Sequence, residues 1–171
     1  MESTDVYNNT IYNSKGSGVS FGVARGVTEK IPIGRFYNNI FVTGDSQIAG
    51  GASKGEFKGN LYWAMGDGGF SVDGYTSLKD WARETGQEMV ARRLVGIYAD
   101  PLLAKNGTGL IMDPRRILDL TEYLLLDGSP AVDTGLVLNR LRGLGVGSRD
   151  FFGNTIPQGP EYDIGAHELV N

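Results

Sequence analysis

Phe36-Tyr37-Asn38-Asn39-Ile40-Phe41 has a recognisable copy on either side of it in the chain. The earlier copy is Val6-Tyr7-Asn8-Asn9-Thr10-Ile11-Tyr12, and the later one is Phe57-Lys58-Gly59-Asn60-Leu61-Tyr62-Trp63. In each, a hydrophobic residue is followed three places on by an Asn and then by further hydrophobic residues. Asn9 and Asn39 are 30 residues apart and Asn39 and Asn60 are 21 apart, as in a solenoid whose turns carry loops of different length. The flanks are short and rich in β-branched and aromatic residues, which predicts two strands joined at a sharp bend. Asn suits such a bend because it tolerates left-handed backbone and can bond to the backbone or to an Asn stacked above it. Each such bond contributes about 1 kcal/mol net, so a ladder of them fixes register more than depth of stability. Ordinary hairpins with Asn in their turns are the alternative, and the threefold recurrence favours the solenoid.

Composition sets the outer limits. A chain of 171 residues with 40% hydrophobic residues can bury the core of one domain, or of one compact piece of a larger domain. The 16 basic and 20 acidic residues are scattered without long runs, which argues against a nucleic-acid surface or a polybasic membrane patch. Gly is the outlier, at 26 against 6 Pro, and points to many tight turns. The absence of Cys removes disulfides, thiolate catalysis and zinc–thiolate sites. No segment reaches the length of a membrane span, and the first residues lack the basic start and apolar run of a signal peptide. Since a repeat begins at Val6 with nothing to cap its strand edge, the chain is expected to be part of a longer one.

Residues 1–66 are read as roughly three coils, with corners at Gly16, Gly18, Gly34, Gly44, Gly50, Gly51 and Gly55. Residues 67–171 are read as a C-terminal cap. In it, Ser77 to Thr85 is predicted to be a short helix, with Ser77 and Asp80 as a capping box and Gly86 as its stop. Leu78, Trp81, Ala82 and Thr85 share one face of that helix, so Trp81 is expected to plug the end of the core. Leu120 to Leu126 fits either a buried strand or a helical turn, and a last strand is expected near Ile164.

A series of motifs then carries a resemblance. N-N-I-F at 38–41, G-N-L-Y-W at 59–63 and Y-T-S-L-K-D-W at 75–81 are followed by Thr85-Gly86-Gln87 and A-D-P-L at 99–102. D-G-S-P-A-V-D-T-G at 127–135, R-D-F-F-G-N at 149–154 and D-I-G-A-H-E at 163–168 complete the order. The series resembles the C-terminal end of bacterial right-handed parallel β-helix proteins of the pectate-lyase-like kind. That resemblance implies an all-β fold: the last coils of a right-handed parallel β-helix, with a cap containing one short helix. It also implies an exported, periplasmic or cell-surface protein acting on polysaccharide, as a glycoside hydrolase or polysaccharide lyase, or as a non-catalytic binding or adhesion protein. In such proteins the catalytic groups usually sit on middle coils, so this piece is expected to be mainly structural. Met89 to Gly96 departs from the pattern, and His167 stands where an aromatic residue is common.

Within the chain, the polar residues joining the first two coils are the substrate-binding candidates: Arg25, Glu29 and Arg35, with Lys30 beside them. Arg pairs with a sugar carboxylate or sulfate through two parallel bonds. Tyr7, Tyr12, Tyr37 and Tyr62 recur at neighbouring repeat positions, where they either stack on sugar rings or stack on one another inside the fold. Asp133, Asp163 and Glu168 are candidate acid/base carboxylates, and their places beside Gly-containing turns equally suit acceptance of backbone N–H bonds. Gly18-Val19-Ser20-Phe21-Gly22 matches the G-x-S-x-G nucleophile string, but it lies in a strand pattern without the strand-to-helix turn that chemistry needs. His167 is the only His, which excludes a His-based metal site within the chain. Asp45, Asp67 and Asp73 lack EF-hand spacing, so calcium stays open but has no support in the sequence, and no cofactor is expected.

Overall fold

The computed structural model describes residues 3–13, 15–22, 33–105 and 113–170. The protein is mostly β, and its strands are arranged in parallel sheets. Each copy of the Asn motif folds as a strand, a bend and a second strand. The first contributes β1 (Ser3–Tyr7) and β2 (Thr10–Asn13), followed by β3 (Val19–Ser20). The second contributes β4 (Ile33–Tyr37), β5 (Ile40–Thr43) and β6 (Ile48–Ala49). The third contributes β7 (Gly55–Lys58) and β8 (Leu61–Ala64). The bend is made by one left-handed residue before the repeated Asn: Asn8 at φ 54°, Asn38 at φ 51° and Gly59 at φ 69°.

The units stack in parallel, in sheets of order β1-β4-β7, β2-β5-β8 and β3-β6, with Val72 bridging Ile48 in the last. Equivalent residues therefore form columns. Val6, Phe36 and Phe57 lie in register, as do Ile11, Phe41 and Tyr62. The Phe36 and Phe57 rings stack nearly parallel at 4.8 Å, and Phe41 and Tyr62 stack at 5.4 Å. The tyrosines expected to meet either sugar or one another thus divide: Tyr37 and Tyr62 are fully buried, while Tyr12 packs on Tyr123.

A helix, α1 (Leu78–Thr85), closes the far end of the core. Ser77 caps it, its Oγ accepting from the Asp80 N–H at 3.3 Å, and left-handed Gly86 ends it. The box is only half formed, because the Asp80 carboxylate turns to Arg83 at 2.8 Å. Trp81 is the expected plug, packed against Phe57, Tyr62 and Phe70. After α1 comes an antiparallel hairpin, β9 (Met89–Val90) and β10 (Arg93–Leu94). Then β11 (Ile97–Tyr98) pairs in parallel with β8, so the stacking continues past residue 66.

The remaining described residues differ from expectation in local detail. Of the two forms open to Leu120 to Leu126 the helical turn is found, as a 3-10 turn at Thr121–Tyr123 that leads into Leu125, which bridges Leu103. The strand expected near Ile164 is a single bridge between Gly135 and Tyr162, beside which the Ile164 N–H donates to Ala131 O. A second short helix, α2 (Leu138–Arg142), was not anticipated; left-handed Gly143 stops it after little more than a turn. This C-terminal segment covers the outer side of β5 and β8. Leu103, Leu125, Ala131 and Ile164 pack on Ile40, Val42 and Leu61, which is why β5 is buried on both faces.

Candidate functional site

The face of β1, β4 and β7 that points away from the core carries a row of charged residues. Asp5, Arg35 and Glu56 occupy the same register position on the three strands. Arg35 directs its guanidinium at Asp5: Nη2 donates to Oδ2 at 2.7 Å, and Nε lies 2.6 Å from Oδ1 in an ion-pair contact without hydrogen-bond geometry. The fork expected to meet a sugar carboxylate is therefore already filled by a carboxylate of the preceding strand. Glu56 is taken by Arg142 at the end of α2, whose Nε also donates to Tyr37 Oη at 3.1 Å. The row thus alternates in sign, with Asp5, Arg35, Glu56 and Arg142 all half-buried to exposed. Lys58 donates to Gly86 O at 2.8 Å, and burial lowers its pKa. Of the other predicted binding residues, Arg25 and Glu29, with Lys30, lie outside the described residues.

Such a row offers a planar, charge-alternating surface and no free general acid or base, since both carboxylates are engaged by guanidinium groups. Partly exposed pairs of this kind contribute about 0–1 kcal/mol each, so exchanging an internal partner for a ligand costs little. Ser20 lies on β3, paired with Ala49, and makes no hydrogen bond to His167.

The C-terminal carboxylates form a second constellation, and backbone N–H groups hold every one of them. Asp163 accepts from Asp133 N at 2.8 Å and Leu169 N at 2.7 Å. Glu168 accepts from Gln158 N at 2.7 Å and Asp163 N at 3.2 Å, and Asp133 accepts from Glu161 N at 3.2 Å. Asp150, not singled out in the sequence, accepts from Asn154 N at 2.7 Å and Glu168 N at 2.8 Å. Burial raises the Asp163 and Glu168 pKa values, and the same backbone bonds work against that rise. His167 Nδ1 accepts from Leu125 N at 3.0 Å, and burial lowers its pKa, keeping the ring neutral. A cavity of about 120 Å³ lies between this knot and Tyr7, Asn8 and Arg149. The geometry is that of a braced set of turns, the second of the two roles open to Asp133, Asp163 and Glu168.

A further buried carboxyl group, Glu88, ends the column of bend Asn residues. Asn39 Oδ1 accepts from both N and Nδ2 of Asn9, and Asn60 Oδ1 accepts from both N and Nδ2 of Asn39, at 2.9–3.1 Å. Glu88 supplies the next rung. Its Oε1 accepts from Asn60 Nδ2 at 2.7 Å and its Oε2 from Asn60 N at 3.3 Å. Tyr62 Oη lies 2.6 Å from the same Oε1. Glu88 is fully buried, and burial lifts its pKa to about 7 against the pull of these bonds. The longer side chain lets Glu88 take the left-handed position itself, at φ 52°, while the β9–β10 hairpin loops out before the backbone rejoins the stack. Gly96 is the point of return, where a Cβ would come within 2.7 Å of Glu88 Cγ. The signal was present: Glu88 follows Asn60 by 28 residues, within the range of the earlier spacings. Met89 to Gly96 is the excursion itself.

No protein-family model matches the chain, and no curated protein matches it. Among the described residues, no helix is long and apolar enough to cross a membrane. Nor do three or more His, Asp or Glu side chains there group so as to hold a metal ion.

Proposed function

We propose that the protein is the C-terminal part of an exported right-handed parallel β-helix protein of the pectate-lyase-like, carbohydrate-active class. Its own work is to close the solenoid and to lend its charged outer face to a polysaccharide groove. The observation that carries this reading is the parallel stack whose bend Asn residues bond unit to unit and end under a capping helix. The motifs behind the resemblance supply the substrate class. Arg35 and Arg142 are the residues to which a uronic acid or sulfated sugar would bind, exchanging Asp5 or Glu56 for the ligand's own anion.

A binding role without catalysis has its own support, in the engagement of Asp133, Asp150, Asp163 and Glu168 by backbone N–H groups. Titration of the chain with uronic-acid-containing and neutral polysaccharides, with product analysis, separates the two. Saturable binding without cleavage, weakened several-fold by Arg35→Ala, selects binding by this piece. Cleavage by the chain alone puts a catalytic group within it. Absence of affinity for every glycan overturns the groove assignment.

A further inference from the structure

We infer that the free end of the stack, formed by β1, β2 and β3, is a docking surface for one further strand–Asn–strand unit. This unit enters in parallel register as the preceding member of the same stack. The inference rests on the proposed solenoid but not on any affinity for carbohydrate.

The unit-to-unit contacts repeat one bonding scheme. The N–H after Asn39 and after Asn60 donates to the Asn carbonyl of the unit before, Ile40 to Asn9 O and Leu61 to Asn39 O, both at 2.8 Å, and Ile97, after the return at Gly96, donates likewise to Asn60 O at 2.9 Å. Each ladder Nδ2 also reaches back one unit, Asn39 to Val6 O and Asn60 to Phe36 O, both at 2.9 Å. At the free end the scheme lacks its first member. Thr10 N–H lies at the edge of its sheet, and among the described residues no Asn carbonyl precedes it. Among the described residues, Asn9 Oδ1 receives no donor of the kind that Asn39 Oδ1 and Asn60 Oδ1 receive, and Asn9 Nδ2 turns back on Tyr7 O of its own unit at 2.8 Å. Asn9 is exposed, whereas Asn39 and Asn60 are wholly buried.

The side chains agree with the backbone. Val6, Ile11 and Val19 are only partly buried, although their register partners Phe36, Phe41 and Ile48 are core residues. A cavity of about 190 Å³ opens beside Asn9 and Thr10, walled by Leu120, Tyr123, Phe151 and Phe152 of the C-terminal segment. A residue stacked on Thr10, as Thr10 is on Ile40, enters that cavity. A second copy of the chain is a poor occupant. Its opposite end is closed by Glu88 and α1, and two like ends bring the acceptor Oδ1 of one Asn9 against that of the other.

The test grafts a copy of residues 34–54 directly ahead of Thr4, the register partner of Gly34, so that the added Asn precedes Asn9 by the interval that separates Asn39 from Asn60. Amide exchange at Thr10 is expected to slow at least about tenfold, and alanine at the grafted Asn is expected to abolish most of that gain. Unchanged exchange at Thr10, with native protection elsewhere, overturns the inference. Should the graft disturb folding, a peptide of residues 34–49 titrated into the unaltered chain gives the second readout. Saturable perturbation of Thr10 N–H and Asn9 Nδ2 supports the surface, and none up to about 1 mM overturns it. Concentration-dependent dimerisation that protects Thr10 in the unaltered chain also overturns it, in favour of a second copy. None of these readouts involves a glycan, so a failed glycan titration leaves the outcome unaffected.

Discussion

The two ends of the stack are built from the same repeat and finished differently. At the far end, Asn60 finds a carboxylate where the next Asn would be, and Trp81 lies across Phe57 and Tyr62. At the near end, Asn9 is exposed and its neighbours Val6 and Ile11 are half-buried. A repeat sequence alone thus specifies a rung but not a terminus. Ending the ladder takes a residue that accepts without needing an acceptor above it, and an ionisable Glu is such a residue. The cost is a buried carboxyl group whose charge the core disfavours.

That contrast is broken most severely at Trp81. Truncation to Ala leaves a cavity under three aromatic rings, and a loss of about 3–5 kcal/mol is expected in urea unfolding. A loss under about 1 kcal/mol would mean that α1 does not seal the core.

Glu88 comes next. Glu88→Ala strands the Asn60 N–H and Nδ2 and the Tyr62 hydroxyl, for an expected loss of about 3 kcal/mol. Glu88→Gln keeps an oxygen for the two shorter bonds and forfeits the one from Asn60 N–H, for about 1 kcal/mol. The pair also separates packing from charge. With the folded pKa raised to about 7 from an ordinary 4.5, the folded state holds a proton that the unfolded state releases between those values. Stability from this group is complete below pH 4.5, falls as pH rises, and is lost above about 7, a change of about 3 kcal/mol. His167, whose pKa is lowered, acts in the opposite direction: its contribution is present above its ordinary 6.5 and is lost as pH falls. The difference in stability between the wild type and Glu88→Gln removes His167, Asp163 and Glu168 from the comparison. That difference should shift toward the variant as pH rises from 4.5 to 7. A pH-independent difference would mean that Glu88 is charged throughout.

What the sequence made legible follows from which interactions are periodic. Asn9, Asn39 and Asn60 recur with their hydrophobic flanks, and the parallel register follows the recurrence. Ser77, Trp81 and Gly86 were readable because capping and amphipathic spacing are local. Glu88 was missed because it fills an Asn position with another residue type, and its hairpin hides the return of the chain to the stack. Arg35 was read as free because its partner Asp5 lies 30 residues earlier, across a strand pairing that no local pattern encodes. The clasp at Asn38, whose Oδ1 accepts from Leu136 N at 2.8 Å while its Nδ2 donates to Leu136 O at 2.9 Å, spans 98 residues and was equally out of reach.

The smallest effects lie within the ladder and sharpen the comparison between its ends. Asn39→Ala removes the acceptor for both Asn9 donors and the donor to Val6 O and Asn60 Oδ1 inside the core, for an expected loss of about 2 kcal/mol. Asn9→Ala removes an exposed side chain whose Nδ2 bonds Tyr7 O and Asn39 Oδ1, and it leaves the N–H bond to Asn39 in place. Water can replace what is lost there, so the expected change is under about 1 kcal/mol. With a unit grafted ahead of Thr4, Asn9 becomes an interior rung and its substitution should become as costly as that of Asn39. Chemical unfolding of the four proteins measures this. Equal costs for Asn9→Ala with and without the graft would mean that the ladder's energetics do not depend on burial at the free end.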